Sequence, residues 1–283
     1  MRLRIATCQT LPELDPDAVP LAEALTRAGV AYDLLAWEDP AIDWTTPAPT
    51  LIRSTWNYAL EVARYLAWID QVATAGPLFN PRAVIRDNLH KRYLLALEQR
   101  GVAIVPTTLV ERDSTCDLAS LPLAGKRFVI KPEVGAGSLG ARVFDEIGAD
   151  AAAHLTALTT KGAALVQPYL ESVEDYGERS MIYLDGELSH AIRKSPRFAG
   201  QAEMVSGPYP IADDERAIAL AALAPYGALL YARVDVARDA AGQPCVMELE
   251  LVEPSLFLAK KPGAADRLVA GLLRRLSARS LSS

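Results

Sequence analysis

Arg233-Val234-Asp235 and Glu248-Leu249-Glu250 each set charged side chains two positions apart inside apolar surroundings. On a β-strand, residues two apart share a face. If the two runs pair, a guanidinium and three carboxylates converge within a few ångströms. Buried carboxylates repel one another unless a cation offsets them. Mg²⁺ suits such a place, because it takes oxygen ligands from few carboxylates and from substrate phosphates. Val234, Val246, Met247 and Leu249 mark these runs as buried strands. Two edge strands with polar outer faces are the plain alternative.

A second constellation lies about a hundred residues upstream, in Phe128–Phe144, FVIKPEVGAGSLGARVF. An apolar strand carries Lys131 into a loop with Gly135, Gly137, Ser138 and Gly140. The letters G-x-G-x-x-G spell a dinucleotide fingerprint, which needs a helix directly after the loop. Ala141–Asp145 instead alternates like another strand. A P-loop needs Lys-Ser/Thr after its last glycine, and Ala141-Arg142 stands there. A protein-kinase loop carries its lysine on the following strand. What is left is strand, lysine, glycine hairpin, strand: a flap able to fold over a triphosphate. A simple hairpin with a surface lysine stays open at this point. Between the constellations, Val166-Gln167-Pro168-Tyr169-Leu170-Glu171 is an apolar strand running into a polar-aromatic turn, able to flank a flat base.

These residues need strands to carry them, and the chain reads as α/β. Strands are expected at 2–8, Tyr32–Trp37 and Thr50–Ser54, with a helix starting at Asp15-Pro16-Asp17 and stopping at Gly29. A helix over Glu61–Ala75 completes a small α/β domain, 1–85, whose loop Arg53–Tyr58 sits at the carboxyl edge of the sheet. Asp87 caps an expected helix through Arg100. A lid domain, 86–166, reads mostly as strands (Thr107–Glu111, Arg127–Pro132, Ala141–Asp145, Ala164–Tyr169) around one helix, Asp150–Thr160. A third domain, 167–283, holds the acidic strands. Asp185-Gly186 turns a hairpin between Ser180–Leu184 and Leu188–Lys194. Helix Asp213–Ala224, strands Tyr231–Ala237 and Cys245–Leu251, and helix Ala264–Arg279 follow.

Composition narrows the class. The chain has 283 residues and a net charge of -6, which disfavours nucleic acid as the main partner. Three scattered cysteines make no disulfide framework and suit a reducing, cytoplasmic setting. His90, His154 and His190 lack metal-site spacing. The start, MRLRIATC, has no apolar core of signal-peptide length. The most apolar run, 217–232, is too short to span a bilayer and contains Pro225, so no membrane partner is expected.

In order and spacing, the chain resembles the ATP-grasp enzymes over roughly residues 86–260, preceded by a small α/β domain. The resemblance rests on Asn88/Lys91, Lys131 with its glycine flap, Gln167–Leu170, Gly177-Glu178-Arg179-Ser180, Lys194, Arg233-x-Asp235 and Glu248-x-Glu250. It implies ATP and Mg²⁺, with two ions, as cofactors. Lys91, Lys131, Gly135, Gly137, Ser138 and Gly140 become phosphate-side contacts. Gln167, Pro168, Tyr169 and Leu170 become the adenine hinge, with Leu249 a further nucleotide contact. Glu178, or else Glu171, becomes the ribose acid. Asp235, Glu248 and Glu250 become metal ligands; many family members carry asparagine where this chain has Glu250. Arg233, Lys194 and Lys131 become the catalytic cations. The implied reaction activates a carboxylate as an acyl phosphate, which a nitrogen nucleophile then attacks.

A narrower likeness runs through Thr7–Asp15, Arg53–Tyr58 and Met247–Phe257. These resemble the compact ATP-grasp group that includes the cyclo-ligase of D-cycloserine biosynthesis, which closes O-ureido-D-serine into a ring. It implies a small amino-acid-like substrate, with a homo-oligomer compatible. Arginines suit carboxylate recognition, so Arg53, Arg193 and Arg197 are the candidates for that partner. Ser54, Trp56, Tyr58 and Ser255 are candidate lining residues, and Glu253 a candidate partner for the substrate amine. Three alternatives stay open: a phosphotransferase on the same scaffold, a nicotinamide oxidoreductase, and a nucleotide-binding regulator without chemistry.

Overall fold

A computed structural model of the chain describes residues 2–123, 125–195 and 204–280. Its strands form three sheets. The first is parallel and begins with β1 (Leu3–Thr7), whose five residues are all buried. Helix α1 (Ala18–Arg27) leads to β2 (Tyr32–Ala36), and β3 (Thr50–Ile52), α2 (Val62–Ala75) and β4 (Leu78–Phe79) complete the order β2-β1-β3-β4. Gly29, at φ +68°, ends α1 in a left-handed turn that a side chain would strain, and Val30 N–H closes back on Leu25 O at 2.9 Å. One face of this sheet holds an aromatic cluster of Trp37, Trp44, Tyr58, Tyr65 and Trp68.

The expected helix from Asp87 to Arg100 is two helices, α3 (Arg82–Asn88) and α4 (Tyr93–Gln99). The chain breaks at 89–92 because local groups are spent elsewhere. Asn88 turns its amide onto a strand edge, and Lys91 N–H donates to Glu133 O at 3.1 Å. Asp87 caps nothing; it lies inside α3 and accepts from Tyr226 Oη at 2.8 Å.

The lid sheet comprises β5 (Thr108–Val110), β6 (Phe128–Pro132), β7 (Arg142–Phe144) and β8 (Ala164–Pro168), with α5 (Ala149–Thr159) across it. Its order is β5-β8-β6-β7 and its pairs are antiparallel. Strand β8 crosses the expected 166/167 domain boundary, because Gln167 and Pro168 pair with Val129 and Phe128.

After the short α6 (Ser172–Asp175), strands β9 (Glu178–Leu184) and β10 (Glu187–Lys194) form the hairpin expected at Asp185-Gly186. Then come β11 (Val205–Tyr209), α7 (Asp213–Leu223), β12 (Tyr231–Arg238), β13 (Pro244–Glu250) and α8 (Ala264–Ser280). The five-stranded order is β11-β10-β9-β12-β13. Strand β11 was not expected; its Pro208 is tolerated at an edge, where proline's missing N–H costs no ladder bond. One face of this sheet packs on α1 and α8 through Ile182, Ile192, Tyr231, Leu268 and Leu272, and the other on α4 and α7 through Leu94, Met181, Val234 and Ala219.

Buried polar staples join the modules. Asn80 donates to Tyr231 O and Leu251 O, both at 2.8 Å, and accepts from Leu230 N–H. Tyr231 Oη lies 2.8 Å from Val252 O and 2.9 Å from Phe79 O. Asp17, fully buried ahead of α1, accepts from Leu258 N–H at 2.8 Å, from Leu256 N–H and from Arg53.

Candidate active site

The site assembles where β12 and β13 face the lid. Arg233 pairs in register with Glu250, and Asp235 with Glu248, so all four side chains share one face. Lys194 and Glu178 reach the same face from β10 and β9, paired with each other in register. Carboxylate oxygens of Asp235, Glu248 and Glu250 lie within 4.8 Å of one another.

Cations interleave these acids. Lys194 Nζ is 2.8 Å from Asp235 Oδ2 and also bridges Glu178. Arg233 holds Asp235 Oδ1 at 3.0 Å, bonds Glu250, and donates to Ser255 O at 3.2 Å. From the lid, Lys131 Nζ sits 2.8 Å from Glu248 Oε1, with Lys91 Nζ 4.0 Å from the same oxygen. Burial pushes the Asp235 carboxyl up, but Arg233 and Lys194 more than offset it and hold it well below the usual range. Burial likewise raises Glu248, and Lys131 and Lys91 overcome it, leaving about 2. Glu178 goes the other way, to about 8, because burial and the neighbouring Asp235 charge outweigh Lys194. Burial raises Glu250 as well, with Asp235 and Glu248 adding to it against Arg233. Three oxygen-only donors at this spacing fit Mg²⁺, which prefers carboxylates over nitrogen or sulfur ligands.

The glycine loop spans the gap. Lys91 Nζ donates to Gly135 O at 2.7 Å. Val134 and Ala136 pack on the aromatic cluster of the first sheet, while Gly137, Ser138 and Gly140 are exposed. Gly137, Ser138 and Gly140 all have positive φ, between 59° and 76°. At Gly140 a side chain would also meet the Pro132 ring at 3.3 Å. Gln167 is buried and donates to Thr107 Oγ1 at 2.8 Å. Beyond it Pro168, Tyr169 and Leu170 stay half-buried, and Tyr169 N–H is already spent on Arg127 O at 2.9 Å.

Glu253 is buried near Tyr58. Burial and the Glu250 charge raise its carboxyl to about 8 against Lys91 and Arg233. Trp56 Nε1 donates to Glu253 O at 3.1 Å, so Trp56, Tyr58 and Glu253 form one wall, next to Ser255 beneath Arg233.

Other expected residues are placed differently. Arg53 is 2% exposed and bonds Asp17 Oδ2 and Pro254 O, both at 2.9 Å. It staples the modules through Nη2, while its buried Nε and Nη1 make no hydrogen bond among the described residues. Ser54 is buried on Thr7 Oγ1 at 2.9 Å. Arg193 points to the face opposite Lys194, as neighbours on a strand must; it lies against Gly177, whose missing Cβ leaves it room, and bonds Asp175 O. Leu249 is 1% exposed, its side chain in the core and its N–H and C=O taken by Tyr93 Oη and Asn88. Glu171 is exposed and ion-paired with Arg127, away from the acidic face that Glu178 joins. Arg197 lies outside the described residues. Sequence reasoning missed Glu133, Asn80, Asp17 as an acceptor, and Tyr231. Only Glu133 carried a signal, its place between Lys131 and Gly135.

Comparison with known proteins agrees with this geometry. Residues 3–80 match the family model for the N-terminal domain of D-cycloserine synthetase DcsG. The cycloserine biosynthesis protein DcsG of Streptomyces lavendulae is 35% identical over 284 residues, covering 93% of this chain and 95% of that protein. The crystal structure of D-cycloserine synthetase DcsG superposes with a TM-score of 0.88 at 33% identity, over 98% of this chain and all of the other. D-alanine–D-alanine ligase from Bacillus anthracis shares the fold at a TM-score of 0.70 and 13% identity, over 100% of both chains. The chain therefore belongs to the DcsG family of ATP-dependent ligases with the ATP-grasp fold.

Proposed function

We propose that this ligase converts the carboxylate of a small amino-acid-like substrate into an acyl phosphate and closes it intramolecularly through nitrogen, with O-ureido-D-serine as the substrate type. The observation that carries the reading is the cross-strand set Arg233–Glu250 and Asp235–Glu248 facing Lys131 of the lid. The relatives named for cycloserine biosynthesis supply the substrate class.

Asp235, Glu248 and Glu250 would hold Mg²⁺, two ions in this reading, which neutralises triphosphate charge and orients the γ-phosphoryl group. Lys91, Lys131 and Lys194 are the ammonium groups that exchange carboxylate partners for phosphate oxygens. Arg233 donates to the transferring group, where charge develops. Gly137 to Gly140 follow the triphosphate and exclude water, which would otherwise hydrolyse the acyl phosphate. The Gln167–Leu170 segment takes the base and Glu178 the ribose. In the first step a substrate carboxylate oxygen bonds to the γ-phosphorus and ADP leaves. In the second, nitrogen bonds to the carbonyl carbon, loses its proton, and phosphate departs with the C–O electron pair. Glu253, whose carboxyl is pushed up by burial and the Glu250 charge, is the partner for a cationic amine entering beside it, because an adjacent positive charge favours the carboxylate. Trp56, Tyr58 and Ser255 shape that wall.

The test is incubation of the protein with ATP, Mg²⁺ and O-ureido-D-serine, with ADP, phosphate and product followed together. One ADP and one phosphate per ring formed supports the reading. A stable phosphorylated product overturns it.

A further inference from the structure

We propose that Glu133 is a positioning residue for nucleotide binding: it bridges His90 and Arg92 and so fixes Lys91, which stands between them, against the glycine loop. The inference rests on the reading above that Lys91 meets ATP.

Five contacts carry it. The Glu133 carboxylate bonds Arg92 Nε, and its other oxygen lies 3.4 Å from His90 Nδ1. Glu133 O accepts the Lys91 N–H at 3.1 Å. The Lys91 side chain then reaches the same loop two residues on, at Gly135 O, 2.7 Å away. Glu133 N–H donates to Ala163 O at 2.9 Å, anchoring the acid to the lid. One lid residue thereby holds three consecutive residues of the break between α3 and α4, and the middle one points its ammonium at Glu248.

Chemistry makes a carboxylate the fitting group here. Glu133 is 5% exposed, and an acid so buried needs paired positive charge. A flexible lysine by itself loses rotamer freedom when it binds phosphate. Fixing its flanks and backbone beforehand removes part of that cost, so binding is the quantity that should respond. Arg92 has a second acid, Glu111, at 3.4 Å on the exposed side. Without Glu133, Arg92 would turn outward and leave Lys91 held by its backbone neighbours alone. No part of the reaction needs Glu133 itself; it acts through Lys91.

The experiment is calorimetric titration of ATP·Mg²⁺, without amino-acid substrate, into the parent, E133Q, K91M, E133Q/K91M and E111Q proteins. E133Q should weaken ATP about tenfold, a shift of about 1.4 kcal/mol. E111Q should stay within about twofold, as an exposed pair should. In the K91M background, E133Q should add little, since the two act as one unit. In turnover assays E133Q should raise KM for ATP while kcat at saturating ATP changes little. If E133Q does not fold, R92Q takes its place in the same cycle. Additive losses in the double variant, or unchanged affinity in folded E133Q, overturn the role for Glu133 alone. Failure of the parent to bind ATP·Mg²⁺ overturns the nucleotide site and this role with it.

Discussion

Asp235 and Glu248 stay ionised inside a half-enclosed site because Arg233, Lys194, Lys131 and Lys91 stand against them. Removing one charge from that lattice should act on turnover more than on folding. E248Q is expected to lower kcat about a hundredfold, the scale for one charged transition-state contact. Full turnover by E248Q at saturating Mg²⁺ would remove Glu248 from the metal set. Glu133 gives a prediction in pH. Its folded pKa of about 2 lies below the ordinary 4.5, because His90 and Arg92 outweigh burial. A lowered carboxyl pKa stabilises the fold fully above the ordinary value, and that stability is lost as pH falls towards the folded one. Urea midpoints of the parent and E133Q should therefore differ at pH 7 and converge as pH is lowered from 4.5 towards 2. A gap unchanged at low pH would mean the ion pairs contribute nothing.

Among elements, β13 matters most, because its register decides whether Glu248 and Glu250 meet Asp235 and Arg233. Among the described residues its outer side meets no full strand: Val246 bridges Ile104 there, and Asn88 and Tyr93 cover the edge further along. Asn88 donates to Leu249 O at 2.7 Å and accepts from Leu251 N–H at 2.7 Å, while Tyr93 Oη accepts from Leu249 N–H at 3.0 Å. N88A leaves a buried donor and acceptor unpaired and should cost about 2 kcal/mol in urea unfolding. Its kcat should fall too, since β13 loses the clamp beside its acids. An N88A protein with parent activity and midpoint would show that water replaces the amide at no cost. The same clamp sits where α3 ends: the Asn88 side chain goes to β13 and the Lys91 N–H to Glu133 O, in the break before α4.

At the scale of the molecule, the first sheet is tied to the acidic strands by buried polar groups as well as by apolar packing. Arg53, Asp17, Asn80 and Tyr231 all connect β1–β4 and their flanks with the segment 230–258. R53L strands the Asp17 carboxylate in a fully buried position, and breaking such a pair typically costs about 3–5 kcal/mol. The expected outcome is one cooperative transition at a lower urea midpoint, measured by fluorescence of the tryptophans in the first module. An unchanged midpoint would show that Asp17 is held by the Leu256 and Leu258 amides alone. Among the described residues no helix is long and apolar enough to cross a membrane.

The sequence by itself determined what short-range rules reach. Alternation put Arg233 with Asp235 and Glu248 with Glu250, the strand pattern on both sides of the glycines marked a hairpin carrying Lys131, and Asp185-Gly186 marked a turn, because each depends on neighbours a few residues away. Partner choice between distant segments was decided only by tertiary structure. Arg53 reads as a free carboxylate receptor in the chain, but 201 residues later Pro254 and the buried Asp17 claim it. Arg193 and Lys194 read alike, but the pleat sends them to opposite faces and only Lys194 meets Asp235. Asn88 reads as part of a long helix, but its amide is taken by the backbone of Leu249 and Leu251 on β13. Such roles come from unpaired backbone and charge that segments far apart in the chain bring together, and no local pattern encodes them.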